Sequence, residues 1–296
     1  MSSATTQPIL ITGSTGTLGQ AFRRVCRIRG LHAITLSRAA LDIADAAAVA
    51  HALRCYQPWA VVNAAGYVRV DEAEADADRC YRENTTGPEL LAAACAAQGV
   101  QLLTFSSDLV FDGQRNTPYC EGDAPRPLSV YGHSKLLAEQ AVLTRLPSAL
   151  VVRTSAFFSA WDEHNFVYHA LAAARRGEDF AAADDLLISP TYVPDLVNHS
   201  LDLLLDQACG LWHLANEGAY TWAEFARLAL RVAGLDEACV VPRPAASFGW
   251  AARRPRYSAL GSQHGRLLPP VESGLRRHLK DERLLQSANP PSVLVG

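Results

Sequence analysis

The sequence lacks most of the features that would commit it to a partner class. No Cys-x-x-Cys pair occurs. The seven cysteines (Cys26, Cys55, Cys80, Cys95, Cys120, Cys209 and Cys239) are scattered and odd in number. A disulfide framework or zinc site needs closer, patterned spacing, so they read as small buried hydrophobes in a reducing compartment. There is no basic surplus: 27 Lys plus Arg against 30 Asp plus Glu leave a formal net charge of -3. That excludes a general electrostatic pull toward nucleic acid or an anionic membrane. Met1–Pro8 lacks the basic-then-apolar layout of a signal peptide. The most apolar stretch, Leu90–Phe105, is interrupted by Gln98, Gly99 and Gln101, so nothing reads as a membrane span. The histidines form no metal-like cluster, and no repeat or low-complexity tract is present. A cytoplasmic globular chain is expected, with 296 residues, 49% of them hydrophobic. That length suits two domains, and burial of about 75% of the unfolded surface.

Apolar runs alternate with helical periodicity along the first half. Pro8–Thr12 is a β-branched run ending at Gly13. Leu18, Ala21, Phe22, Val25 and Cys26 then share one helix face, and Gly30 stops that helix. Strands follow at Ala33–Leu36, Trp59–Val62, Gln101–Phe105 and Ala149–Arg153. Between them lie helices at Ala48–Cys55, Glu72–Glu83, Pro88–Ala97 and Tyr131–Leu143. Such alternation predicts right-handed βαβ units, hence an α/β, Rossmann-like doubly wound parallel sheet. Beyond Ser155 the rhythm loosens. Helices at Asn165–Arg176 and Pro194–Asp206, a strand at Gly210–Leu214 and a capping box at Thr221–Glu224 remain legible; the tail from Ser287, with Pro290 and Pro291, reads as frayed. The expected division is a dinucleotide-binding domain over 1–155, with a returning segment near 186–216, and a smaller C-terminal substrate-binding lobe over 156–296.

Gly13-Ser14-Thr15-Gly16-Thr17-Leu18-Gly19 lies between the first strand and the first helix. There, glycines permit a tight turn and close backbone approach, and the helix N-terminus offers free N–H groups to a pyrophosphate. The spacing is G-x-x-G-x-x-G rather than G-x-G-x-x-G, and its position in the first βα turn favours dinucleotide binding over a plain tight turn. The second strand ends Leu36-Ser37-Arg38 without the carboxylate that NAD binders place there. Arg38 suits a 2′-phosphate, against a nearly equal reading as a solvated surface arginine. NADPH is the preferred cofactor and NADH the alternative.

Tyr131-Gly132-His133-Ser134-Lys135 is Y-x-x-x-K on a helix, which stacks phenol and ammonium on one face. A phenol titrates near 10 and needs a neighbouring cation to act near neutrality, which Lys135 supplies. Lys135 can also hold the nicotinamide ribose hydroxyls, so that Tyr131 and Lys135 count among the cofactor-binding residues as well. Ser107, just past the strand Leu102–Phe105, is placed to hydrogen-bond a substrate carbonyl. His133 between them reads as an exposed helix residue.

With these elements together, the chain resembles the extended short-chain dehydrogenase/reductases and, within them, the dTDP-4-dehydrorhamnose reductases. The likeness extends through Leu41-Asp42-Ile43-Ala44-Asp45, Val62-Asn63-Ala64-Ala65-Gly66-Tyr67, Val70-Asp71 with Ala73-Glu74, and Asn84 with Gly87. It continues in Ser106-Ser107-Asp108, Val110-Phe111-Asp112-Gly113, Pro118-Tyr119, Glu121, Pro127-Leu128, Val130-Tyr131-Gly132 and Arg153-Thr154-Ser155. Asn165-Phe166, Ser189-Pro190-Thr191 and Arg254-Pro255 are weaker echoes. Coverage is strong over residues 9–200 and loose beyond. The resemblance implies hydride transfer to C4 of a nucleotide-linked 4-dehydro-6-deoxyhexose, with Tyr131 protonating the oxygen. It implies Ser107 and Asp108 on the substrate side and Gly16-Thr17-Leu18 at the cofactor phosphates. Asp42 and Ile43 would lie at the adenine side, and Ala64, Ala65 and Gly66 near the nicotinamide half. Its members allow a homodimer.

The chain departs from the family pattern at four places. Ser107 replaces the usual Thr, Leu109 a Tyr and Ala156 a Trp, and Ser37-Arg38 replaces an acidic strand end. Phe157 and Phe158 are candidates to refill the lost aromatic wall. Arg254, in the basic run Arg253-Arg254-Pro255-Arg256, reads either as a diphosphate clamp or as a solvated loop charge. Trp161-Asp162-Glu163-His164 reads as a mobile loop over the cleft rather than a metal ligand set. Two other functions suit the same residues: a nucleotide-sugar epimerase or dehydratase holding NAD tightly, and a non-catalytic cofactor-binding regulatory subunit. The intact Ser107, Tyr131 and Lys135 set argues against the last.

Overall fold

The structure is a computed structural model that describes residues 7–265 and 268–288. Ile9–Thr12 (β1) is apolar, short and wholly buried. It feeds helix Thr17–Ile28 (α1), whose Leu18, Ala21, Phe22, Val25 and Cys26 form the buried stripe expected from their spacing. Ala33–Leu36 (β2), Ala46–Tyr56 (α2) and Ala60–Asn63 (β3) continue the alternation. Asp45 caps α2, its carboxylate accepting from the amides of Ala47 at 2.9 Å and Ala48 at 3.0 Å. Ala77–Tyr81 (α3), Gly87–Gln98 (α4), Gln101–Ser107 (β4), Val130–Arg145 (α5) and Leu150–Thr154 (β5) complete the first half.

The second half supplies Phe157–Phe158 (β6), Phe166–Arg175 (α6), Phe180–Ala183 (β7), Leu187–Ile188 (β8), Thr191–Tyr192 (β9), Val193–Leu205 (α7) and Gly210–His213 (β10). Tyr220–Thr221 (β11), Trp222–Ala233 (α8), Val240–Arg243 (β12) and Val271–Ala288 (α9) follow. The main sheet has six strands in the order β10-β5-β4-β3-β1-β2, all parallel. Because side chains alternate across a strand, Ile9 and Ile11 pack with Phe22, Val197 and Leu201 on one face. Leu10 packs with Leu53, Leu91 and Cys95 on the other. This is the doubly wound sheet anticipated from the alternation. β1 has β2 on one side and β3 on the other, so the connections diverge and open a crevice at the carboxyl ends of β1 and β3.

A third core, with Phe158, Val167, Leu171, Tyr192, Phe225, Leu230 and Leu275, forms the lobe. The expected capping box is present: the Glu224 amide donates to Thr221 Oγ1 at 3.1 Å and the Thr221 amide to Glu224 Oε2 at 2.8 Å. Two expectations change, and three short strand pairs are additional. The helix expected over Glu72–Glu83 is broken into a 3₁₀ turn at Glu72–Glu74, α3 and a π turn at Arg82–Thr86. The π turn aims Asn84 inward, a local distortion that apolar periodicity does not register. The strands β6–β9, β7–β12 and β8–β11 are too short or irregular to carry an alternation signal. Helix α9 runs through Ser287 to Ala288; Pro290 and Pro291 lie outside the described residues, as do Met1 to Thr6 of the amino-terminal stretch.

Candidate active site

The glycine turn and the loop after β3 meet backbone to backbone. Gly13 has φ +67°, and a Cβ there would run into the carbonyl of Ala64 and the amide of Ala65. A Cβ at Gly19 would overlap the Gly13 carbonyl, so α1 starts directly on the turn. Helix α1 has no side-chain cap and no acidic residue in its first turn. Its leading N–H groups are therefore left for an anion, which fits a dinucleotide pyrophosphate. Of the expected cofactor residues, Thr15 and Gly16 are exposed and Thr17 half-buried at the crevice, while Leu18 is buried in the core under α1. Thr17 Oγ1 donates to Asp162 Oδ2 at 2.8 Å.

At the far end of the crevice the Ser37 carbonyl closes a turn, accepting from the amides of Ala40 at 3.0 Å and Leu41 at 2.9 Å. Arg38 is paired with Glu83 at 2.5 Å, and Arg79 shares that carboxylate at 2.7 Å. Asp42 pairs with Arg82 at 2.6 Å, and this guanidinium holds its carboxyl below the ordinary range. Ile43 is buried against Gly87, where a Cβ would collide with it. Arginines thus outnumber carboxylates around the Ser37–Asp42 turn, which suits a phosphate monoester.

A satisfied polar row crosses the strand ends. Thr12 Oγ1 donates to Asn63 Oδ1 at 2.8 Å, and Asn63 Nδ2 donates to Thr104 Oγ1 at 3.1 Å. Asn84 ties the next layer together: the Tyr67 amide donates to its Oδ1 at 2.8 Å, and its Nδ2 donates to the Tyr67 carbonyl at 3.0 Å and to Ser134 Oγ at 3.1 Å. It thereby fixes the Ala64-Ala65-Gly66 loop against α5. A Cβ at Gly66 would lie 3.5 Å from Lys135 Nζ.

Ser107, Tyr131 and Lys135 are brought together by the start of α5. Ser129 caps that helix, its Oγ accepting from the Gly132 amide at 3.1 Å. A Cβ on Gly132 would strike the carbonyl of Leu109, so the bare glycine lets α5 seat against the Ser107–Leu109 turn. Ser107 Oγ accepts from the Leu109 amide at 3.1 Å and donates to Asp108 Oδ1 at 3.0 Å. Lys135 Nζ donates to the Phe105 carbonyl at 3.3 Å and lies 5.8 Å from the Tyr131 ring centroid. Burial draws the Lys135 ammonium down to about 8, against the opposing pull of Cys80 and Glu139. Burial, with the Asp108 and Cys80 charges, pushes the Tyr131 phenol up, and the Ser107 hydroxyl opposes them. Asp108 is itself pushed up by burial, although Ser107, Ser155 and Ser258 all donate to it. Beneath the site a buried ion pair locks α5 to β5, with Arg153 donating twice to Glu139, at 2.8 and 2.6 Å.

These groups open onto a cavity of about 730 Å³ between sheet and lobe. Ser107, Asp108 and Tyr131 line its sheet side; Phe166, Phe180, Trp222, Phe248 and Trp250 line the lobe side. Leu109, Ala156 and Phe157 also reach it. Phe158 does not: it is fully buried in the lobe core, so only Phe157 compensates for the aromatic lost at Ala156. Neighbouring residues on a strand face opposite ways, and the inward one went to the lobe. Arg254 lines the cavity, donates to Asp71 Oδ1 at 3.0 Å and Oδ2 at 2.6 Å, and stacks 4.2 Å from the Trp250 centroid. The Trp161–His164 loop does overlie the cleft, but it is tethered: Asp162 on Thr17, and Trp161 beneath Arg24 at 4.2 Å. His133 is exposed and bonds the Tyr81 hydroxyl through Nδ1 at 2.9 Å. Among the described residues no three His, Cys, Asp or Glu side chains are grouped to hold a metal ion.

A parallel sheet with a glycine turn at its switch point, and Ser107 and Tyr131 facing a cavity under a lobe with Lys135 behind them, define an extended short-chain dehydrogenase/reductase. Family comparison agrees: residues 7–281 match the RmlD substrate binding domain, and the chain belongs to that family. A dTDP-4-dehydrorhamnose reductase of Mycobacterium tuberculosis is 37% identical over 262 residues, 86% of this chain and 85% of the relative. A dTDP-4-keto-6-deoxy-D-glucose reductase of Streptomyces niveus is 33% identical over 254 residues, 85% of this chain and 88% of the relative. The crystal structure of a Clostridium acetobutylicum dTDP-4-dehydrorhamnose reductase superposes with a TM-score of 0.88 at 30% identity, covering 94% of this chain and 99% of that one. That of a Bacillus anthracis dTDP-4-dehydrorhamnose reductase in complex with NADP gives 0.88 at 29% identity, covering 93% and 99%.

Proposed function

We propose that the protein is an NADPH-dependent reductase of the C4 ketone of a nucleotide-linked 4-dehydro-6-deoxyhexose, converting dTDP-4-dehydrorhamnose to dTDP-L-rhamnose. The observation that carries this reading is the convergence of the Ser107 and Tyr131 side chains on one cavity wall, with the Lys135 ammonium behind them. The names of the relatives and the NADP bound to one of them support it.

In this reading the six-stranded sheet binds the cofactor and the lobe binds the nucleotide sugar. Thr15, Gly16, Thr17 and the uncapped start of α1 receive the pyrophosphate, and Ser37 and Arg38 receive the 2′-phosphate. Asp42 and Ile43 flank the adenine; Ala64, Ala65 and Gly66 lie beside the nicotinamide half. When bound, NADPH supplies the hydride that reduces the ketone carbon. Ser107, positioned by Asp108, turns its one hydrogen from that carboxylate to the carbonyl oxygen and so orients the ketone. Tyr131 donates its phenolic proton to that oxygen as the new C–H bond forms, leaving an alcohol and a phenolate. Lys135 stabilises that phenolate and lowers the cost of each proton transfer; solvent returns the proton to Tyr131. The same reading places the protein in the cytoplasm as a homodimer, and sedimentation equilibrium of the purified protein tests the dimer.

The test follows oxidation of NADPH and NADH with dTDP-4-dehydro-6-deoxyglucose plus its 3,5-epimerase, and with GDP-4-dehydro-6-deoxymannose in parallel. Epimerase-dependent oxidation of NADPH is the expected result. Tyr131→Phe should lower kcat by about 10²–10⁴-fold while leaving the NADPH Kd unchanged. Protein that carries firmly bound NAD and oxidises neither reduced cofactor would instead make it an epimerase or dehydratase.

A further inference from the structure

Asp108 is buried at the junction of sheet and lobe and is held by hydroxyls from three separate segments. Ser107, at the end of β4, donates to Oδ1 at 3.0 Å. Ser155, just past β5, donates to Oδ2 at 2.8 Å. Ser258, far along the chain in the lobe, donates to the same Oδ2 at 2.6 Å. Asp108 is 5% exposed and Ser258 1%, although both border the cavity.

Ser258 is itself rigidly placed. Its amide donates to the Leu187 carbonyl at 2.9 Å, and the Leu187 amide donates to the Arg256 carbonyl at 2.9 Å, binding the 256–258 segment to β8. One residue later the Ala259 carbonyl accepts from the Tyr119 amide at 2.8 Å, on the sheet side. The segment that begins with Arg254 and Pro255 on the cavity wall therefore ends in a hydroxyl bonded to the carboxylate that bonds Ser107.

We propose that Ser258 is a positioning residue for the reduction: it carries the seat of the nucleotide sugar in the lobe, through Asp108, to the Ser107 hydroxyl that meets the ketone. The proposal rests on the reductase reading above. Ser107 has a single hydrogen, which rests on Asp108 Oδ1 and must turn to the ketone oxygen when the substrate enters, so the place from which it turns depends on how Asp108 is held. With Ser258 and Ser155 both on Oδ2, Asp108 is turned so that Oδ1 faces Ser107. Without Ser258 the carboxyl loses its tie to the lobe and can rotate, and Ser107 loses its fixed direction. Asp108 and Ser258 share the cavity wall with Ser107, so a loss of aim at Ser107 should appear in turnover, whereas a direct contact of Ser258 with the sugar would appear in KM. Misplacement of a supporting group by about 1 Å is enough to cost roughly 10²-fold in rate.

The experiment compares the unsubstituted protein with Ser258→Ala and Ser258→Thr under saturating NADPH and varied nucleotide sugar, with thermal midpoint and NADPH Kd measured on each. Expected for Ser258→Ala is a kcat lower by about 10- to 100-fold, with KM for the sugar, NADPH Kd and midpoint close to those of the parent. Ser258→Thr, which keeps the hydroxyl, should recover most of the turnover. A raised KM with kcat intact would make Ser258 a ground-state binding residue and overturn the proposal. So would a Ser258→Ala enzyme as fast as an active parent, or a fall in kcat matched by a fall in midpoint that Ser258→Thr does not rescue. No turnover by the unsubstituted protein overturns the reductase reading and this inference with it; the other results overturn the inference alone.

Discussion

Asp162 accepts a 2.8 Å hydrogen bond from Thr17, placing a carboxylate beside the opening turn of α1. Helix α1 has no acidic residue of its own in its first turn. A negative group near a helix N-terminus is favourable, so Asp162 occupies the field that a pyrophosphate would use. Asp162→Asn should therefore tighten NADPH by roughly two- to five-fold, the equivalent of about 0.3–1 kcal/mol for one charge at a helix end. Titration of the purified protein with NADPH measures it directly. Weaker binding by the variant would mean that the loop supports the cofactor instead of competing with it.

Lys135 gives the pH dependence. Burial lowers its ammonium to about 8, so the protonated form predominates below that pH and is lost above it. Tyr131 needs the cation, so kcat/KM should be level on the neutral side and decline as pH rises through about 8. Lys135→Arg, whose guanidinium stays charged, should abolish that decline whatever activity it retains. A profile that falls at the same pH in both enzymes would assign the limb to another group.

Arg254 and Asp71 form a pair whose two members should act in opposite directions. The guanidinium is bonded twice to the Asp71 carboxylate, at 3.0 and 2.6 Å, at the edge of the cavity. A diphosphate seated there must share Arg254 with that carboxylate. Arg254→Ala should raise KM for the nucleotide sugar far more than KM for NADPH. Asp71→Asn should lower the sugar KM by leaving the guanidinium unshared. Steady-state kinetics on both substrates tests this, and equal effects on the two substrates would refute a diphosphate role.

What the sequence disclosed is what short-range pattern can carry. The glycine turn, the stripe on α1 and the Tyr131–Lys135 spacing are local, and each is present in the fold. The partners of Asp108 are not local: Ser155 and Ser258 stand 47 and 150 positions away. A serine in a loop carries no signal of what it will bond. The Arg153–Glu139 pair is hidden likewise, because a charged residue carries no local signal that the fold will bury it against its counterion. Phe157 and Phe158 show a further limit, since composition could not decide which of two adjacent rings faced the cavity. Asn84 was visible only as part of a family motif; its role follows from the π turn that aims it inward.

His278 provides a stability test remote from the chemistry. It is 2% exposed, its Nδ1 has no hydrogen-bond partner, and its ring lies 5.9 Å from Phe158 in the lobe core. Burial takes the imidazole down to about 4 from an ordinary 6.5, overriding Glu282 and Asp281, which favour the charged form, with Arg175 adding to the depression. Between those two pH values the unfolded chain binds a proton that the folded chain refuses. Acid therefore favours unfolding as pH falls from about 6.5 to about 4, and the loss levels off below. His278→Leu removes the titrating group and the unpartnered nitrogen together, and keeps an apolar side chain of similar bulk. Its thermal midpoint should fall less steeply than that of the parent over this interval, and near neutral pH it should be no less stable. Parallel midpoint curves for parent and variant between those pH values would assign the acid sensitivity to other groups.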